Sequence, residues 1–475
     1  MSGAAFDNTE LSGHGFKLLE HMGEWVRVRA APLGDPCSLS SLLISDITTR
    51  DVQSAQSFAS GFFPPSCASA RAAAIAVANA SNGFAYVASD NETQCGSGPT
   101  AAEIELRFGS VSALTNRYRP QMRRVSEILG CCSEALCHRY GRTAPGNCTI
   151  DELPYHFDGT YWQGLYDGPL AATGAFAGAW MLQYVSGFEA AWGEVGIDEL
   201  QELYRVHNRM MLLGSNLNRS VSASSHLLGF ILASLEQLVP PAEGGPSAPL
   251  AGAPPSRPQL TAVFAHDFNL LYLRQLLRLS WLTDSWPFDA ATTGSSISFE
   301  LHRDEPQSGG AAAYRVLGVL ESASITQQAS ASPLVLPHPP PARSVFLDQP
   351  LSAFRAAALG ALDTRCVAPP LRATIEEMQR ADAGDGNAWL SLLHSGEALA
   401  VGVLLLVAGC GFGFLAGRAS RFQRTAASHP LLGNPKPPEM PFYLDPPPPA
   451  PGAPALLEGA DDNARAAAGT GPPRA

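Results

Sequence analysis

The chain has 475 residues, enough for one large or two ordinary domains with a substantial core. It is acidic, with a formal net charge of −12, and only 16% of its residues are charged. That balance argues against a nucleic-acid partner, which would need clustered Lys and Arg to neutralise phosphates.

Residues 42–46 (LLISD) read as a short buried strand. From Arg50 the positions Val52, Ala55, Phe58, Ala59 and Phe62 have helical spacing, and Pro64-Pro65 stops the helix. Arg50 therefore lies in the first turn of a helix that follows a strand. Helical patterns over 169–192, 198–213 and 221–238 read as a helical cap, spanning about residues 66–239. The stretch 240–258 (PPAEGGPSAPLAGAPPSRP) reads as a flexible surface insertion. LTAVFA is then a strand, His266-Asp267 a turn, and FNLLYLRQLLRLSW an amphipathic helix. Two such junctions predict an α/β fold, with a central, mostly parallel sheet flanked by helices and a site at the strand C-terminal ends. Helix N-termini there offer free backbone N–H groups and the positive end of a dipole, suited to phosphate. SISFELH and YRVLGVLES read as strands returning to that sheet, followed by a low-complexity linker (329–344). The domain is expected to end near residue 368, and a last helix, Pro369 to Arg380, opens a juxtamembrane segment (369–397).

Residues 398–417 (ALAVGVLLLVAGCGFGFLAG) carry no charge. As a helix they would reach ~30 Å, the thickness of the hydrocarbon core. Arg418, Arg421 and Arg424 follow directly, which places the tail in the cytosol and the N-terminal domain outside or in a lumen. The expectation is a single-pass membrane protein at the cell surface or in a lysosome or vacuole. The sequons at Asn79, Asn91, Asn147 and Asn218 all precede the span, consistent with glycosylation of that domain. Cys37, Cys67, Cys95, Cys131, Cys132, Cys137, Cys148 and Cys366 also precede it and read as up to four disulfides of open connectivity. Zinc is a weaker reading of the cluster at 131–148, which lacks paired CxxC spacing. Gly409, Gly413 and Gly417 have the spacing of a dimer face, although glycine is common in such helices. Residues 418–475 are rich in Pro, Ala and Gly and are expected to be disordered. Their proline run has the composition that SH3 and WW partners read, though composition alone accounts for it.

Four stretches resemble the histidine acid phosphatase family, in family order. They are ELSGHGFKLLEHMGEWVR, SDITTRDVQSAQSFASGFFPP, VFAHDFNLLYLRQLLRLSW and WPFDAATTGSSISFELHR. With weaker similarity between them, the resemblance covers roughly residues 10–368, and the segment NRMMLLGSNLNRSVSASSHLLGFIL is closer to the phytase and sugar-phosphatase branch. The resemblance implies hydrolysis of phosphate monoesters through a phosphohistidine, without metal or cofactor. Carried over by position, Arg50 and His266 would bind phosphate, Asn269 would join them at the substrate, and Asp267 would protonate the leaving oxygen. A proton-donating Asp fits an acidic working pH. Taken alone, each residue has a plainer reading, Arg50 as a surface charge and Asp267 as a helix cap.

The family's nucleophile lies in an R-H-G-x-R-x-P motif, and this motif does not occur in the sequence. Gly13-His14-Gly15 has no preceding Arg, and Arg139-Tyr140-Gly141-Arg142 has Tyr at the His position. Phe268 stands where the family usually has Thr. An apolar signal segment is missing as well, and loss of one N-terminal segment would explain both absences. A non-catalytic phosphate-binding ectodomain is the second reading. A third, an adhesion or structural protein, predicts that Arg50, His266 and Asp267 do not converge. HExxH and GxxxxGK[ST] are absent, and the calcium-loop-like run from Asp382 has Leu393 at its twelfth position.

Overall fold

The structure, a computed structural model, describes residues 10–78, 109–132, 148–157, 166–283, 285–304, 313–329 and 342–394, with a few isolated positions between 84 and 138. The expected membrane span, the tail, and Asn79, Asn91 and Asn147 lie outside the described residues. Among the described residues no helix is long and apolar enough to cross a membrane.

The chain begins with α1 (Gly13–Ala30), β1 (Ser41–Ser45), α2 (Thr49–Phe62), α3 (Ala68–Ala74) and β2 (Ile75–Val77). Next come α4 (Val111–Leu129), a two-residue pair β3 (His156–Phe157) and β4 (Tyr166–Asp167), α5 (Pro169–Val185), α6 (Ile197–Gly214) and α7 (Leu217–Glu236). It continues through β5 (Leu260–Phe264), α8 (Asp267–Leu276), β6 (Ser296–Asp304), β7 (Ala313–Ser322) and α9 (Ile325–Ala329). The last elements are β8 (Ala342–Pro350), α10 (Leu351–Ala361) and α11 (Leu371–His394).

The expected parallel sheet is present, in the order β2-β1-β5. In register, Ser45 of β1 faces Val77 of β2 and Phe264 of β5. Parallel strands are covered on both faces, so their sequences are apolar runs without strict alternation. In β1, Leu43 is buried among Phe58, Ala59 and Phe62 of α2. Its neighbour Ile44 is buried among Leu228 and Phe230 of α7 and Leu273 of α8. The α1–α2 layer approaches closely: a Cβ on Gly61 would lie 1.8 Å from the carbonyl oxygen of Glu20. Helices α4, α5 and α6 share a separate core around Met122, Trp180, Leu200 and Leu203.

Several sequence expectations are corrected. β2 lies inside the stretch assigned to the cap and belongs to the parallel sheet. β6 and β7 pair with β8 in a second, antiparallel sheet, β6-β7-β8, and among the described residues do not join the first. Alternating polar and apolar residues identify such strands but not their partners. Residues 240–258, expected as a flexible surface insertion, make hydrogen bonds to neighbouring helices. Gln237 Nε2 donates to the Pro254 carbonyl at 3.0 Å, and Thr374 Oγ1 donates to the Ala251 carbonyl at 3.0 Å. Proline restricts φ, so a Pro-rich segment loses little entropy when such bonds fix it. The helix expected over 169–192 stops at Val185, where Gly187 turns the chain at φ +83°. The run from Asp382 is part of α11 and forms no loop.

The eight cysteines that precede residue 398 form the disulfides Cys37–Cys67, Cys95–Cys366, Cys131–Cys132 and Cys137–Cys148. The pairing leaves none of the cysteines at 131–148 as a zinc thiolate. Asn218 lies half-buried in the first turn of α7.

Candidate active site

Because β1 and β5 are parallel neighbours in register, their C-terminal ends open on the same edge of the sheet. The chain leaving β1 carries Asp46, then Thr48, which caps α2, then Arg50 and Asp51 in the first turn. The chain leaving β5 carries His266 and Asp267 at the start of α8. The local code is the same at both ends: an apolar run, a polar cap, then helical periodicity. Asp46 N–H donates to the Phe264 carbonyl at 3.1 Å and ties the two exits together.

His266 Nε2 lies 3.4 Å from Asp46 Oδ2 and 3.7 Å from Asp51 Oδ2. Both carboxylates are buried, at 5% and 4% exposure, while His266 is partly open. The hydrogen bond with His266 is the main reason that the Asp46 carboxyl is held below its usual range, and the Ile47 amide adds to it. Thr48 Oγ1 donates to Asp51 Oδ2 at 2.5 Å.

Asp267 behaves differently. Removal of its carboxyl from water pushes its pKa up, and the charges of His207, His266 and Arg50 only partly oppose this. Its Oδ1 accepts from the Phe268 amide at 2.9 Å. Arg50 and Asp267 are thus close enough to feel each other's charge across the two strand ends. The convergence that an adhesion or structural reading forbids is present.

Asn269 is buried, at 3% exposure, and its Oδ1 accepts from the His266 backbone N–H at 3.1 Å, closing the first turn of α8. Its Nδ2 has no partner among the described residues. Phe268 points into the core, where its ring stacks on Tyr272 at 5.7 Å. His14 lies in the first turn of α1, and its ring bonds the Gln328 carbonyl.

Three residues of the site were not singled out from sequence. Asp46 and Asp51 flank Arg50, and the position of Asp46 directly after the apolar strand was the available signal. His207, from α6, reaches Asp267 across the fold and had no local signal, since it sits in an ordinary amphipathic helix. Asp46, Asp51 and His266 have donor atoms within 4.8 Å of one another, a spacing that also suits a cation. The imidazole itself can serve as the cation between these carboxylates.

No protein-family model matches the sequence. No curated protein matches it either. Solved structures do share the fold. The phytase of Citrobacter braakii superposes with a TM-score of 0.60 and 18% identity, covering 76% of this chain and 90% of that one. Klebsiella sp. ASR1 phytase gives 0.56 and 17%, covering 76% and 87%. Hafnia alvei phytase, in complex with myo-inositol hexakis sulphate, gives 0.57 and 17%, covering 76% and 89%. The chain therefore has the fold of these phytases.

Proposed function

We propose that this chain is the ectodomain of a histidine acid phosphatase-type phosphomonoesterase. In this reading it is exported, glycosylated at its sequons and held at a membrane by residues 398–417. Its strand-end pocket binds the phosphate of its substrate through Arg50 and His266, and Asp267 gives a proton to the leaving oxygen. The observation that carries the reading is the placement of these three residues at the adjoining C-terminal ends of β1 and β5, with Arg50 close enough to act on the Asp267 charge. A guanidinium and an imidazolium there stabilise the charge on the equatorial oxygens of phosphate. Asp267 is suited to donate because burial raises its pKa and so favours the protonated carboxyl. The phytase fold makes inositol phosphates the first substrates to try.

A second reading, a pocket that binds phosphorylated ligands without turning them over, is favoured by one observation. A phosphohistidine step needs a nucleophilic imidazole, and these 475 residues contain no R-H-G-x-R-x-P.

The deciding experiment measures inorganic phosphate binding by calorimetry and phytate hydrolysis at about pH 5. It compares the wild type with Arg50→Ala and Asp267→Asn. Arg50→Ala should weaken phosphate binding by about tenfold or more, the value of one charge-assisted contact. Asp267→Asn should retain binding and lose hydrolysis if the enzyme reading is right. Binding without turnover in the wild type selects the second reading. Absence of phosphate binding in the wild type defeats both.

A further inference from the structure

His266 is held at both ends. Its backbone N–H donates to Asn269 Oδ1 at 3.1 Å, and its ring Nε2 faces Asp46 at 3.4 Å and Asp51 at 3.7 Å. The two carboxylates have separate origins, Asp46 at the exit of β1 and Asp51 in the first turn of α2. Each is fixed independently of the ring: the Asp46 amide is tied to β5, and Thr48 Oγ1 grips Asp51. Carboxylates buried to this degree require a nearby positive charge, and the group on which both converge is a single imidazole nitrogen.

We infer that Asp46 and Asp51 are positioning residues that aim the His266 ring through Nε2 and keep it protonated, so that it meets phosphate as a cation. The inference rests on the phosphate reading above. The other charged groups around the ring do not reverse it. Arg50, on α2, opposes a second positive charge. Asp267, the next residue, is biased toward its neutral form by burial, and burial also biases His207, on α6, toward neutrality. The balance is two carboxylates against one guanidinium, which still favours the imidazolium. At 3.4 and 3.7 Å both contacts are longer than a tight charge-assisted bond of roughly 2.8 Å. The ring is thus steered toward both carboxylates by contacts that a phosphate oxygen, as a further acceptor, would compete with.

The test is an NMR titration of the His266 ring in ligand-free protein, followed by phosphate affinity against pH. Asp46→Asn should lower the pKa of the ring by about one unit or more, the effect of removing an opposite charge at this range. The alkaline limit of phosphate binding should fall by the same amount, and Asp46→Glu should restore part of it. Asp51→Asn, at the longer distance, should move both in the same direction by less, and it serves if Asp46→Asn does not fold. Asp289→Asn is the control, a buried carboxylate held by Arg274 and the Trp281 amide. An unchanged His266 titration in Asp46→Asn overturns the inference, as does an equal shift in Asp289→Asn. A wild type that binds no phosphate defeats the phosphate reading alone, because the ligand-free titration still decides the positioning role.

Discussion

Asp267 and His207 respond to the same burial in opposite directions, and each is biased toward its neutral form. Burial pushes the Asp267 pKa up and the His207 pKa down, and both shifts favour the proton on the carboxyl. The tautomer of His207 follows from its partner: Nδ1 lies 3.0 Å from the Gly174 carbonyl, which can only accept, so Nδ1 carries the hydrogen. The ring fits there because α5 has no side chain at Gly178, where a Cβ would come within 2.5 Å of Nδ1. Gly178→Ala should therefore displace the imidazole and cost about 1–3 kcal/mol in a denaturant titration. Gly360→Ala is the counterpart, at a helical glycine whose Cβ would meet nothing within 4 Å. That change should stabilise the protein by about 0.5–1 kcal/mol through propensity alone. Equal effects at the two sites would show that steric fit does not hold His207. Arg50, His266 and Asp267 were legible because each stands next to a local signal, an apolar run that turns into a helix. His207 was not, since only tertiary packing of α5 on α6 brings it to Asp267.

At the scale of elements, two junctions are stiff for different reasons. The crossing of α1 and α2 depends on Gly23 and Gly61, where added Cβ atoms would lie 2.0 Å from the Phe58 carbonyl oxygen and 1.8 Å from that of Glu20. Both obstacles are backbone, so a rotamer change cannot relieve them. Gly61→Ala should cost about 3 kcal/mol or more, seen as a lower denaturation midpoint. The second junction joins α7 to the segment after α10, where the Ala368 amide donates to His226 Nδ1 at 3.2 Å. Burial lowers the pKa of His226 to about 4, against an ordinary value of 6.5. The unfolded chain takes up this proton first, so stability falls as pH drops from about 6.5 toward 4 and levels off below. The full loss is about 3 kcal/mol, counting each pKa unit as about 1.4. His226→Gln, which keeps an acceptor, should lose less stability across that window in parallel urea titrations. A slope equal to the wild type would place the acid sensitivity elsewhere. The existence of these elements was readable from periodicity, but their partners were not. SISFELH and YRVLGVLES show clear strand patterns, yet nothing in them says that they pair in a sheet of their own.

Across the whole molecule, the even number of cysteines before the expected span indicated oxidation, while connectivity waited for the fold. The fold joins residues far apart: Cys95 pairs with Cys366 at a separation of 271, whereas Cys37 and Cys67 are separated by 30. If a disulfide acts by restricting the unfolded chain, its effect grows with the logarithm of the loop it closes. The longer bridge should then contribute about 2 kcal/mol more than the shorter one. The comparison needs two double variants, Cys95→Ser with Cys366→Ser, and Cys37→Ser with Cys67→Ser, unfolded in denaturant without reductant. The first should have the lower stability, and its denaturant dependence should steepen, because an unfolded chain freed of a 271-residue link exposes more surface. Equal losses with unchanged slopes would mean that the denatured chain stays compact without the bridge. In that case the long link does not hold the molecule together through loop entropy, and its stabilisation must come from contacts in the folded state around Cys366, which is fully buried.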